Sequence, residues 1–239
     1  LPPLAFASLR FATVAVLALL LPRPAVPIRL LLMYGFTWGA VQFGALFLAI
    51  YAGMPTGLSS VLAQSQVLFT LLLATLFGFE RLRLQHLLGI ALACGGLTCI
   101  VTDSAYPVPI LALLCSLIGA LGWAAGNLVV RHLQMSGHRP DSTAFIAWAS
   151  ILPTLCLALA SLLWEPRQTL TLERGQWLPA LLAILYQGIV ALLLGTLAWN
   201  RLLRHYPASR VAPFSLLVPV VGLSIGVGLL GESLSPLQF

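Results

Sequence analysis

Residues 110–131 read ILALLCSLIGALGWAAGNLVVR, and this stretch decides the fold class of the chain. It carries no charge before its last residue, Arg131, and it is long enough to cross the hydrocarbon core of a bilayer as one helix, which takes about 20 apolar residues. A second arginine, Arg139, follows in the same loop. The stretch therefore predicts a transmembrane helix that ends at a positively charged membrane face.

Similar apolar segments occur along the whole chain. Its 239 residues are 60% hydrophobic and 8% charged, and the mean hydropathy is +1.01, whereas soluble domains have about a quarter of their residues charged. Eight segments are predicted to be transmembrane helices: 4–21, 30–51, 58–79, 84–101, 110–130, 142–164, 177–203 and 211–230. The composition thus predicts an all-α, polytopic membrane protein that lies in a lipid bilayer.

The arginines between these segments are distributed unevenly. Nine of the twelve lie in four loops that alternate with loops of little positive charge: Arg23, Arg29, Arg81, Arg83, Arg131, Arg139, Arg201, Arg204 and Arg210. The positive-inside rule places these nine arginines on the cytoplasmic side of the membrane. Because this role in topology also accounts for the net charge of +6, no nucleic-acid partner is expected.

An internal repeat divides the chain into two parts. It consists of identical residues at a constant separation of 152 positions: Pro55 and Pro207, Glu80 and Glu232, and Leu82 and Leu234. We expect a first repeat at residues 1–101, which lack its first helix, and a second at residues 110–239, which lack most of its last helix. The complete protein is thus predicted to have ten helices. Repeats of five helices are inverted relative to each other, as in many secondary transporters.

Four short motifs carry a resemblance to a known family: GMPTGL at 53–58, GFERL at 78–82, WAAGN at 123–127 and RVAPFSLLVPVVG at 210–222. With these motifs the chain resembles the drug/metabolite transporter superfamily, specifically its EamA-type permeases, and among them those that export cysteine and O-acetylserine. The resemblance implies ten helices with both termini in the cytoplasm. It also implies a substrate cavity between the two halves, and transport of small metabolites out of the cytoplasm.

Two pairs of aromatic and amide residues lie four positions apart in predicted helices. Gln42 follows Trp38, and Asn127 follows Trp123, so the members of each pair share a helix face. An indole ring beside a carboxamide offers a stacking surface with hydrogen-bond donors and acceptors, which suits a zwitterionic ligand. We therefore expect these four residues to bind substrate. The alternative is hydrogen bonding between helices, with the tryptophan at a helix interface.

Other polar residues within the predicted helices are also candidates for substrate contact. Gln64 and Gln66 lie in the middle of a segment and are two positions apart, so at most one of them faces a given cavity. Tyr186 and Gln187 form a further candidate pair, although a tyrosine there equally suits the lipid interface.

Two prolines, Pro213 and Pro219, interrupt the last predicted helix. A proline removes a backbone donor, so Pro219 frees the carbonyl group of Ser215, four residues earlier. In a membrane such a carbonyl is tolerated only where protein or cavity water satisfies it. We predict a bend beside the transport pathway, with Ser215 contacting substrate and the prolines acting as a hinge. A static kink is the alternative.

Several glycines are spaced for close packing between helices. They form three pairs: Gly35 and Gly39, Gly122 and Gly126, and Gly222 and Gly226. Residues 226–231 spell a GxGxxG motif, but it lies within an apolar segment with no preceding strand, so no dinucleotide cofactor is expected.

The titratable residues are scattered singly, which argues against a catalytic centre. The cysteines and histidines form no ligand cluster: Cys94, Cys99, Cys115, Cys156, His86, His132, His138 and His205. We expect no metal site, no other cofactor and no disulfide. Glu80 and Glu232 are expected to cap or order helices, with proton coupling as the alternative.

Together these features predict a multi-pass transporter of the bacterial inner membrane that exports small amino-acid-like metabolites by alternating access. An integral-membrane lipid-modifying enzyme is the alternative from another class. A nucleotide-sugar or organophosphate carrier is the alternative within the superfamily, but it needs basic residues in its cavity, for which Arg10 alone is a poor candidate. The sequence leaves the substrate, the coupling ion and the oligomeric state open.

Overall fold

The computed structural model describes residues 1–79, 108–165, 175–205 and 217–231, together with Leu88, Ala91, Gly95 and Phe214. Its main helices are α1 (Pro3–Leu19), α2 (Ile28–Tyr51), α3 (Thr56–Leu76), α4 (Ile110–Met135), α5 (Ser142–Trp164), α6 (Trp177–Trp199, continued to His205) and α7 (Leu217–Leu230). No strand occurs within these ranges. The prediction of an all-α protein is therefore confirmed for the described residues.

Five helices of the described chain, α2 to α6, are long and apolar enough to cross a membrane. The helices α1 and α7 are apolar but shorter. The predicted helix at 84–101 falls almost entirely outside the described residues, as do Glu80 and Glu232. The architecture is that of a polytopic membrane protein, whereas the count of ten helices and the inverted repeat stay predictions.

Two of the helices contain π-helical segments, in which the backbone hydrogen bonds span five residues and the turn is wider. One is Gly35–Val41 in α2, and the other is Tyr186–Leu194 in α6. Adding the repeat separation of 152 to residues 35–41 gives 187–193, which lies within the second segment. Such segments are rare and occur most often at functional sites. Their equivalent positions support the predicted repeat.

Glycines bring α2 into close contact with α4 and α5. A Cβ added at Gly39 would lie 2.5 Å from Cγ of Pro153 in α5. A Cβ added at Gly122 of α4 would lie 2.8 Å from the carbonyl oxygen of Thr37. Any side chain larger than hydrogen at these positions would force the helices apart. The predicted packing role of the glycine pairs in α2 and α4 is thus confirmed.

Contacts between helix ends define the two faces of the bundle. At one face, the indole Nε1 of Trp148 donates a hydrogen bond to the Leu21 carbonyl oxygen at 3.1 Å. At the same face, Arg131 Nη2 donates to the Phe79 carbonyl oxygen at 3.3 Å. Because Arg131 lies near the end of α4 and Arg139 follows that end, this is the face that the positive-inside rule assigns to the cytoplasm.

At the opposite face, the carboxylate of Glu165 caps the amino terminus of α1. Its oxygens accept hydrogen bonds from the backbone nitrogens of Leu4 at 2.7 Å and Ala5 at 3.0 Å. Both donors lie in the first turn of α1, where backbone N–H groups have no partner within the helix and a negative charge is stabilising. This contact joins the end of α5 to the start of α1.

Candidate functional site

A cavity of about 320 Å³ lies between α2, α3, α4 and α7. Most of its lining is apolar, and polar side chains are contributed by α2, α3 and α4. The lining residues are Gln42, Phe43, Leu46, Ile50, Thr56, Ser59, Ser60, Ala63, Ser116, Gly119, Ala120, Trp123 and Val218. A mostly apolar cavity with a few polar groups is the usual form of a site for a small molecule.

Two polar atoms at this cavity are buried without a hydrogen-bond partner among the described residues: Oε1 of Gln42 and Oγ of Ser59. The two side chains are 6% and 3% exposed. Other hydroxyls at the cavity are satisfied locally, since Ser60 Oγ donates to the Gly57 carbonyl oxygen at 2.6 Å and Ser116 Oγ to that of Ala112 at 3.0 Å. A buried unpaired polar group is costly, so Gln42 and Ser59 are the residues best placed to bind a ligand.

Trp38 does not border the cavity, although Gln42 does. The Trp38 ring stacks on Tyr34 one turn earlier, with ring centroids 5.0 Å apart and planes at 14°. It also contacts the edges of Phe11 and Phe43, with centroids 5.7 Å and 6.2 Å away. These aromatic contacts hold the indole one turn before Gln42 rather than beside it. The expected pairing of these two side chains around one ligand is not seen.

The second predicted pair is separated in the same way. Trp123 borders the cavity, whereas Asn127 contacts α3 outside it. The Asn127 Nδ2 donates to Oε1 of Gln66 at 3.1 Å and to Oγ1 of Thr70 at 3.3 Å. These contacts are the hydrogen bonds between helices that the sequence analysis gave as the alternative. They also give Gln66 a partner on a neighbouring helix, away from the cavity.

The remaining candidates lie in other parts of the molecule. Gln64 is half-buried at a turn between two helical parts of α3. Tyr186 is 60% exposed, and Gln187 is half-buried in the π-helical segment of α6. Pro219 is in the first turn of α7, where a proline interrupts no hydrogen bond within the described helix. Pro213 and Ser215 lie outside the described residues, and their roles stay predictions.

Sequence reasoning missed the hydroxyl residues of the cavity, Thr56, Ser59, Ser60 and Ser116. These residues are hard to identify from sequence because serine and threonine hydroxyls can donate hydrogen bonds to carbonyl groups of the preceding helical turn. They are therefore tolerated on any face of a membrane helix. A closer reading of Ser59 and Ser60, adjacent polar residues in an apolar segment, would have marked this part of α3. In the ranges that the structure describes, no three His, Cys, Asp or Glu side chains are grouped to hold a metal ion.

The apolar helices, and the mostly apolar cavity with a few polar groups between them, define the class of protein: a polytopic membrane protein with an internal site for a small molecule. The chain belongs to the EamA-like transporter family, whose model matches residues 110–239. It is therefore a transporter. Its helices and relatives place it among the multi-pass proteins of the bacterial inner membrane.

Two relatives are similar over the whole chain. The chain is 38% identical over 247 residues to a probable amino-acid metabolite efflux pump of Escherichia coli K12, and 39% identical over 246 residues to one of Salmonella typhimurium. All of this chain and 81% of each relative are covered. A crystal structure of a protein 21% identical to the chain superposes with a TM-score of 0.63, covering all of this chain and 83% of the other, and shows that the two share a fold.

Proposed function

We propose that this transporter exports small amino-acid-like metabolites, of the cysteine and O-acetylserine type, from the cytoplasm. The names of the two efflux-pump relatives support efflux as the direction and amino-acid metabolites as the class of substrate, and the resemblance of the four sequence motifs supports the cysteine and O-acetylserine type. The observation that carries the proposal is the pair of unpartnered polar atoms, Gln42 Oε1 and Ser59 Oγ, at one cavity. Both atoms can accept hydrogen bonds from an ammonium group, which every free amino acid presents.

The transport cycle that we propose is alternating access between two inverted halves, residues 1–101 and 110–239. In such a cycle one half moves against the other around a site at their interface. The cavity agrees with this scheme, since its lining comes from α2 and α3 of the first half and from α4 and α7 of the second. The matching π-helical segments give each half a wider turn at an equivalent position.

Within this cycle, Ser215 contacts the substrate, and Pro213 and Pro219 act as a hinge. Pro219→Ala tests this role, because the substitution restores a backbone donor and leaves the groups at Gln42 and Ser59 in place. We expect a slower transport rate with an unchanged substrate affinity, measured on the reconstituted full-length protein. An unchanged rate would show a static kink.

The export proposal is tested in cells that overproduce the full-length protein. Amino acids released into the medium are quantified over time and compared with those from cells that carry an empty vector. We expect selective accumulation of cysteine, O-acetylserine or a related small amino acid. Equal release of every amino acid from both cultures, with the protein present in the membrane, would refute the proposal.

A further inference from the structure

Arg10 is the only charged side chain that is buried in the described part of the chain. It lies near the middle of α1 and is 5% exposed. Its Nε has no hydrogen-bond partner, and the described residues form no ion pair with it. A charge at membrane depth is costly unless it is paired, and such residues usually serve substrate or ion pathways.

The surroundings of the guanidinium group are aromatic. Its central carbon, Cζ, is 4.0 Å from the ring centroid of Phe43 and 5.2 Å from that of Phe11. A cation over an aromatic ring is stabilised by the ring quadrupole, but this attraction satisfies none of the N–H donors. The group therefore keeps its capacity to bind an anion.

Phe43 connects this cation to the cavity. Its ring contacts the Arg10 guanidinium and is also part of the cavity lining, next to Gln42 in the chain. The backbone of Arg10 lies against the second half of the protein, since a Cβ added at Gly188 would be 2.6 Å from the Arg10 carbonyl oxygen. Arg10 thus lies where α1 meets both helices that contain a π-helical segment, α2 and α6.

We propose that Arg10 binds the carboxylate of the transported amino acid, an inference that rests on the function proposed above. The guanidinium can form two parallel hydrogen bonds with a carboxylate. The ammonium group of the same substrate binds at Gln42 Oε1 and Ser59 Oγ. In the conformation described, the guanidinium lies over the Phe43 ring, and Phe43, not Arg10, borders the cavity. The proposal therefore includes a movement of the Phe43 side chain that opens the guanidinium to the cavity. The site therefore selects zwitterions over amines that lack a carboxylate.

The test compares L-cysteine with cysteamine, which has the same amine and thiol but no carboxylate. Binding of both compounds to the purified full-length protein is measured at equilibrium. We expect the wild-type protein to prefer L-cysteine. In Arg10→Gln the affinity for L-cysteine falls about 10- to 100-fold, because hydrogen bonds between charged groups are lost. The affinity for cysteamine stays the same, so the preference disappears, whereas Arg10→Lys retains part of it.

Arg29→Gln is the matched control, since Arg29 is exposed at the start of α2 and the same charge is removed. It is expected to keep the wild-type preference. A preference that persists in Arg10→Gln, or an equal loss for both compounds, would overturn the proposal and show that Arg10 is structural. If Arg10→Gln does not fold, binding measurements on the wild-type protein still test the proposal. Equal affinities for L-cysteine, its methyl ester and cysteamine would show that no group binds the carboxylate. A wild-type protein that binds neither L-cysteine nor O-acetyl-L-serine refutes the proposed substrate class itself.

Discussion

Polar side chains meet at two levels of the bundle, and the two levels differ in how their hydrogen bonds are satisfied. At the first level, Gln42 Oε1 and Ser59 Oγ are buried at a cavity without partners among the described residues. At the second, the Asn127 amide donates to Gln66 and Thr70. Buried polar groups are nearly always paired. Unpaired groups at a cavity therefore indicate a ligand site, while a paired network indicates helix packing.

The strongest test of this comparison is Gln42→Leu. We expect it to lower substrate affinity about tenfold or more, because a hydrogen bond to a charged ammonium group is lost. The melting temperature of the purified protein should stay the same or rise, since a buried acceptor without a partner is removed. Gln134→Leu, at an exposed position near the end of α4, is the matched control. Reduced folding with normal affinity would make Gln42 a packing residue.

Ser59→Ala is expected to have a smaller effect on transport. A hydroxyl oxygen is a weaker hydrogen-bond acceptor than an amide oxygen, so loss of its contact with the ammonium group corresponds to a fall in affinity of about 3- to 10-fold. Ser161→Ala in α5 is the control, because Ser161 is 4% exposed, as deeply buried as Ser59, but does not border the cavity. Both affinities are measured by the same binding assay on purified protein. If the two variants behave alike, the unpartnered hydroxyl of Ser59 has no role in binding.

Asn127→Leu is expected to leave transport per folded molecule unchanged. Its effect should instead be a loss of about 0.6 to 2 kcal/mol in the free energy of unfolding, the usual range for a hydrogen bond between membrane helices. A double-mutant cycle with Gln66→Leu measures the coupling between the two residues. A coupling energy near zero, together with weaker transport, would show that Asn127 binds substrate. Hydrogen-bond pairing would then no longer separate substrate-binding residues from packing residues.

The sequence was sufficient for the fold class, because the signals that define it are local. Apolar length identifies a membrane helix without knowledge of its neighbours, and arginine counts such as those at Arg131 and Arg139 orient it. The glycine pairs Gly35 and Gly39, and Gly122 and Gly126, were also predictable as packing positions, since their spacing follows from the helix itself. These predictions needed no information about which helices are adjacent.

The site was predicted less well, because it depends on which helices are adjacent. Because they are four residues apart, Trp38 and Gln42 share one helix face, and so do Trp123 and Asn127. The spacing does not show which neighbouring helix each of these side chains contacts. In the structure, Gln42 and Trp123 border the cavity, whereas Trp38 and Asn127 do not. Ser59 was missed because a serine in a membrane helix has no distinctive pattern. Arg10 is visible in the sequence as a charge within an apolar segment, but the sequence does not show that it lies near the cavity.

The glycine contacts of α2 restrict how this protein can diversify. A substitution at Gly122 adds atoms where the backbone of α2 already lies, and one at Gly39 adds atoms where the Pro153 ring of α5 lies. Neither position can change unless the bundle repacks. Ala63 and Val218, by contrast, border the cavity. After a gene duplication, substitutions at such positions can alter the shape and polarity of the site at little cost to folding. A new substrate can thus be acquired while the scaffold of α2, α4 and α5 is inherited unchanged.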